Sequence, residues 1–91
     1  MPNAVIDNTE LSRFELSEDG YVAYADYRRH DGRLIIPYVL APVPLRGKGT
    51  AGRLMEGVLA IAREQKLKVT PICGYAAAYI RRHKQHHDLL D

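Results

Sequence analysis

Polar and apolar residues alternate through Ser12-Arg13-Phe14-Glu15-Leu16. After the polar stretch Ser17-Glu18-Asp19-Gly20, the extended pattern resumes in Tyr21-Val22-Ala23-Tyr24-Ala25-Asp26-Tyr27. A period of two on both sides of a polar break predicts a β-hairpin. His30-Asp31-Gly32 is a second turn signal, and residues 33–40 are rich in the branched side chains that strands favour, so a third antiparallel strand is expected there. Pro37 interrupts it. Because proline cannot donate to the ladder, this strand is expected to lie at an edge or to carry a bulge.

Ala41-Pro42-Val43-Pro44 reads as stiff, extended chain, since two prolines remove backbone donors and bias their predecessors away from helix. The period then changes. Leu54, Met55, Val58, Leu59, Ile61 and Ala62 recur at three- and four-residue intervals among charged neighbours, which predicts a long amphipathic helix over residues 49–66. Leu67-Lys68-Val69-Thr70-Pro71-Ile72-Cys73 predicts a short strand, parallel to the third through a right-handed crossover. Gly74 allows a turn, and residues 75–83, with their Ala76-Ala77-Ala78 run, predict a second helix. The expected order is β-β-β-α-β-α, an α/β (α+β) arrangement without internal repeat or linker.

A chain of 91 residues supports one small core, so residues 1–91 are expected to form a single domain. The longest apolar run, residues 34–42, holds two prolines and falls far short of a membrane span. The first residues lack the basic and apolar regions of a secretory signal, and Cys73 is the lone cysteine, so a cytoplasmic location and no membrane partner are expected. Net charge +2, from 13 Lys and Arg against 11 Asp and Glu, is too balanced to indicate nucleic acid. Basic residues cluster at Arg28, Arg29 and Arg33, at Arg46 and Lys48, and at Arg81, Arg82 and Lys84, whereas acids concentrate before residue 32. The second half is therefore the expected place for an anionic ligand.

Gly47-Lys48-Gly49-Thr50-Ala51-Gly52 fits G-x-G-x-x-G at the junction where a strand gives way to a helix. Such a junction exposes unpaired backbone N–H groups at the positive end of the helix dipole, and glycine lets phosphate oxygens approach them. Arg46 and Lys48 add charge that pairs with phosphate. A dinucleotide-binding reading lacks its context, because the following strand carries no acid to bind a ribose and only 18 residues remain after it. A P-loop lacks its earlier glycine. The alternative is that the glycines serve only a tight turn and a helix cap.

Arg46-x-x-Gly49-x-Ala51 resembles the (Q/R)-x-x-G-x-(G/A) segment of the GCN5-related N-acetyltransferases. Together with the helix end at residues 62–69, with Pro71-Ile72-Cys73-Gly74-Tyr75 and with Tyr79-Ile80-Arg81-Arg82-His83, it resembles the small single-domain, YjdJ-type branch of that superfamily. The resemblance implies a GNAT-like, mostly antiparallel mixed sheet without the superfamily's N-terminal helices. It implies acetyl transfer from acetyl-coenzyme A to an unidentified amine, on a protein lysine or a small molecule. It implies that Arg46, Gly47, Lys48, Gly49, Thr50, Ala51 and Gly52 hold the coenzyme's diphosphate, and that backbone groups of Val39, Leu40 and Ala41 meet its pantetheine arm. Many relatives carry a histidine where this chain has Tyr38, the position to which a catalytic role would carry over.

Transfer to an amine needs donors for the developing oxyanion and a proton for the departing thiolate. A backbone N–H of residues 39–41 suits the first task, and Tyr75 or Tyr79 the second, unless these tyrosines simply pack. Cys73, at a strand-to-helix junction, is a candidate covalent nucleophile or else a small buried hydrophobe. His83, His86 and His87 are spaced to meet on one helical turn, but with no further ligand nearby they are expected to form a solvated tail rather than a metal site. Arg81 and Arg82 face either phosphate or solvent. The competing reading of the whole is a non-catalytic acyl-coenzyme A sensor or interaction module.

Overall fold

A computed structural model of the chain describes residues 3–90. Five strands, β1 (Ile6–Asn8), β2 (Arg13–Glu18), β3 (Tyr21–His30), β4 (Arg33–Leu40) and β5 (Lys68–Pro71), form one sheet in sequential order. The first three pairings are antiparallel, and β4 pairs β5 in parallel through a crossover that contains α1 (Thr50–Glu64). After β5 come α2 (Gly74–Arg82) and a 3₁₀ segment at Lys84–Leu89. The expected α+β class and its mostly antiparallel sheet are both present.

Both hairpin turns arise from the residues that signalled them. Asp19 and Gly20 have φ of 52° and 80°, Asp31 and Gly32 have 51° and 75°, and each pair closes a two-residue loop. Positive φ at both central positions matches the twist of the flanking strands, and Asp-Gly tolerates it. Inward-facing Phe14, Leu16, Ala23, Ala25, Tyr27, Leu34 and Ile36 form one wall of the core. Leu54, Met55, Val58, Leu59 and Ala62 of α1, with Ala76 and Ile80 of α2, form the other. Phe14 is fully buried and stacks on Tyr27 at 4.4 Å between ring centres, and burying a side chain of this size stabilises by about 1.5–3 kcal/mol. Because both helices share this core, the opposite face of the sheet is left to solvent.

Three local readings are corrected, and a fourth, left open between an edge and a bulge at Pro37, is resolved to the bulge. The strand β1 was not visible in the sequence, where three residues show no alternation; it is held by pairing to β2 and by Tyr27, whose hydroxyl donates to Asp7 at 2.5 Å. The stretch read as straight, residues 41–44, instead enters a 3₁₀ turn at Val43–Leu45, because the φ that proline fixes also suits a first helical turn and Leu45 N–H reaches Pro42 O at 2.9 Å. Pro37 lies in an interior strand, not at an edge. It sits in a bulge where Tyr27 alone opposes Ile36 and Pro37. Finally, the expected solvated tail folds back: Leu89 joins the core, Leu90 bridges to Val69, and His86 is only 8% exposed.

Candidate functional site

Strands β4 and β5 run together from Arg33 opposite Lys68 to Ile36 opposite Pro71, and then part. Two prolines meet at the parting point, Pro37 on one strand and Pro71 on the other, and neither can donate to a ladder. The N–H groups of Ile72 and Cys73 both converge on Ile36 O at 3.0 Å, after which the chain turns into α2. Tyr38, Val39 and Leu40 continue with β3 alone as neighbour. Since peptide groups along a strand point alternately to its two sides, this segment presents unpaired backbone groups to the split.

The chain leaves the split at Ala41 and reaches the glycine loop through the 3₁₀ turn. Gly47 and Gly49 take φ of 79° and 80°, the left-handed region that costs side-chain-bearing residues strain. Gly49 is the N-cap of α1 and offers no side chain, so the amides of Thr50, Ala51 and Gly52 precede the first intrahelical bond, Arg53 N–H to Gly49 O at 3.0 Å, uncapped. These amides border a cavity of about 250 Å³ that runs from Ala41 and Arg46 past the glycines to Tyr75.

The loop is held from outside by residues that sequence reasoning missed. Glu18, at the end of β2, accepts from Arg53 Nε and Nη2, both at 2.7 Å, and from Thr50 Oγ1 at 2.6 Å. Arg53 Nη2 also donates to Lys48 O at 3.0 Å. The Arg53 hydrogen bonds, followed by that of Thr50, pull the Glu18 carboxyl down to about 2. No local signal could have revealed this, because Glu18 and Arg53 lie 35 positions apart. Lys48 pairs with Asp19 at 3.2 Å, and Arg46 Nε donates to Ala41 O at 3.1 Å, which draws its guanidinium across the mouth of the split. Thr50 is buried with its hydroxyl committed to Glu18, so its amide is what remains for a ligand.

Across the cavity, the Tyr75 hydroxyl lies 4.0 Å from where a Cβ on Gly52 would stand. Burial raises its pKa, against the opposing effect of Arg82. Tyr79 is placed differently. Its hydroxyl donates to Glu56 Oε2, its ring stacks on His83 at 4.0 Å, and its pKa is raised first by burial and then by Glu56. His86 Nε2 stands 2.9 Å from the same Glu56 oxygen. Burial pushes the Glu56 carboxyl up, but the hydrogen bonds from Tyr79 and His86 outweigh it and the net shift is downward. The three histidines do not converge, for His83 Nδ1 meets Tyr79 O at 2.7 Å and His87 Nε2 meets Arg81 O at 3.2 Å. Cys73 is the N-cap of α2, half-buried against the core at the far side of the split. Tyr38 is 47% exposed on the open face of the sheet, its ring 6.3 Å from that of Tyr24. Arg81 and Arg82 are exposed on the last turn of α2.

Among curated proteins none is recognisably similar in sequence. A solved solution structure, that of a "GCN5-like putative N-acetyltransferase" from Staphylococcus aureus, superposes with a TM-score of 0.70. It is 22% identical and the alignment covers 100% of this chain and 91% of that one, a likeness that establishes the fold. The profile of the GCN5-related N-acetyltransferase family matches residues 13–89, which include the split strands, the glycine loop and both helices. The chain belongs to the GCN5-related N-acetyltransferase family.

Proposed function

We propose that the protein is an acetyl-coenzyme A-dependent N-acetyltransferase of the short, single-domain kind. The observation that carries this reading is the uncapped start of α1 opening onto the split between β4 and β5. The residues fit a diphosphate: the amides of Thr50, Ala51 and Gly52 are uncapped and border the cavity, Arg46 stands at the mouth, and the nearby Glu18 carboxylate is neutralised by Arg53. The coenzyme supplies an acetyl group already activated as a thioester. Backbone groups of Val39, Leu40 and Ala41 would hold its pantetheine arm, and an N–H among them would polarise the carbonyl. Tyr75, kept protonated by its raised pKa, would give a proton to the departing sulfur. Tyr79 suits that task less, because its hydroxyl is committed to Glu56.

Isothermal calorimetry with coenzyme A tests the core of the proposal. Saturable binding is expected, weakened by Gly49→Ala, whereas no heat at millimolar coenzyme would refute it. A second reading, an acyl-coenzyme A sensor, is favoured by Tyr38, which stands on the open face of the sheet at the position where the family resemblance leads one to expect a histidine. It predicts tight coenzyme binding without acetyl transfer to any amine in a broad panel, and so the two are separated by one activity measurement.

A further inference from the structure

Glu56 follows Gly52 by one turn on α1, and Tyr79 follows Tyr75 by one turn on α2, so each pair shares a face of its helix. The two faces meet. A Cβ on Gly52 would find Tyr79 Cε2 at 3.6 Å and the Tyr75 hydroxyl at 4.0 Å, so the missing side chain lets both rings close on the start of α1. One turn further, Glu56 Oε2 accepts from the Tyr79 hydroxyl and from His86 Nε2, the latter at 2.9 Å. Among the described residues no other side-chain hydrogen bond links α1 to α2 directly. His86 is 8% exposed and its Nδ1 has no partner among them, and since a carboxylate only accepts, the imidazole carries its proton on Nε2. Tyr79 is thus fixed at both ends, its hydroxyl by Glu56 and its ring between Gly52 and the stacked His83. Tyr75 has no such anchor. Among the described residues its hydroxyl makes no hydrogen bond, and its ring leans on Tyr79 with centres 6.3 Å apart.

Extending the reading of the chain as an N-acetyltransferase with Tyr75 as its acid, on which this rests, we infer that Glu56 is a positioning residue that holds Tyr75 in place for proton transfer. The cavity beside the glycine loop is bordered by Gly52 and Tyr75 but by neither Glu56 nor Tyr79, so Glu56 acts through the tyrosines and not on a ligand. A general acid must stand within hydrogen-bond reach of the atom it protonates, and a displacement of about 1 Å lowers a rate by up to about a hundredfold. Fixing Tyr79 against Gly52 fixes Tyr75 one turn away. The carboxylate is required as such. A glutamine could accept from Tyr79 but would turn its amide toward the His86 N–H, donor against donor, unless His86 moved its proton to Nδ1, where nothing accepts it.

Two measurements on the whole chain test this: acetyl transfer from acetyl-coenzyme A to n-butylamine, read as release of free thiol, and nuclear Overhauser contacts from the Gly52 Hα protons to the Tyr75 and Tyr79 rings. Glu56→Ala is expected to lower kcat about tenfold and Glu56→Gln about threefold, with coenzyme A affinity within about twofold in both. In a Tyr75→Phe background Glu56→Ala should lower kcat no further, because its effect passes through the lost hydroxyl. Arg63→Ala frees the 3₁₀ segment from α1 without touching α2, and should leave kcat unchanged. The Overhauser contacts should be present in the wild type, absent in Glu56→Ala and weakened in Glu56→Gln, whether or not n-butylamine is accepted. Contacts retained in Glu56→Ala, an undiminished kcat, or an equal fall in the Tyr75→Phe background would each overturn the inference. Calorimetry with coenzyme A reports on the underlying function separately: absent coenzyme binding sinks the function, and coenzyme binding with retained contacts in Glu56→Ala sinks this inference alone.

Discussion

Gly49→Ala probes the loop most directly. At φ 80° the alanine would sit in the left-handed region, which costs an L-residue about 1–2 kcal/mol. Its Cβ would stand 3.1 Å from Arg53 Nη1, and that guanidinium has little room to give, since Glu18 holds it through two hydrogen bonds and it donates to Lys48 O. Alanine also caps a helix less well than glycine, while its smaller freedom in the unfolded chain offsets about 0.4–1 kcal/mol. The net expectation is a loss of about 1–2 kcal/mol, which for a domain of this size lowers Tm by roughly 5–15 °C. Relief of the strain would rotate the Gly49–Thr50 peptide, so coenzyme A affinity should fall about tenfold or more even well below Tm. Differential scanning calorimetry and isothermal titration on the same preparation read both quantities. Unchanged Tm together with unchanged affinity would refute the claim that the left-handed glycine shapes an anion-binding helix start.

Other consequences are separable from this one. Gly57→Ala should destabilise by about 1–3 kcal/mol in chemical unfolding despite alanine's better helix propensity, because the new Cβ would lie 2.2 Å from Val5 Cγ2 and overpack the contact. Glu18 titrates near 2 in the fold against 4.5 as its ordinary value, so its contribution is complete above about pH 4.5 and is lost as pH falls through 2. The Tm difference between wild type and Glu18→Gln should close over that window, and a difference independent of pH would contradict the pairing. Tyr75→Phe should lower the acetyl-transfer kcat about a hundredfold while coenzyme A affinity stays within about twofold, and equal kcat would remove Tyr75 as the acid. Cys73→Ala should retain acetyl transfer, since Cys73 is half-buried against the core, whereas complete loss with unchanged coenzyme affinity would point to a covalent route.

What could be read along the chain was whatever near neighbours decide. Asp19-Gly20 and Asp31-Gly32 close their hairpins because the residue types themselves tolerate positive φ, and the apolar stripe of α1 follows from helical period alone. The glycine loop was legible for the same reason, as was the bulge at Pro37, since missing side chains and missing donors are local properties. Tertiary structure decided the rest. Pro37 and Pro71 were both visible, but only the parallel register from Ile36 to Pro71 sets them side by side and opens the split. Nothing near Glu18 in sequence points to Arg53, and nothing near Glu56 to Tyr79 and His86. Turn chemistry and hydrophobic period act over a few residues, whereas a side chain's distant partner is supplied by strand register and helix packing, which only the whole folded chain determines.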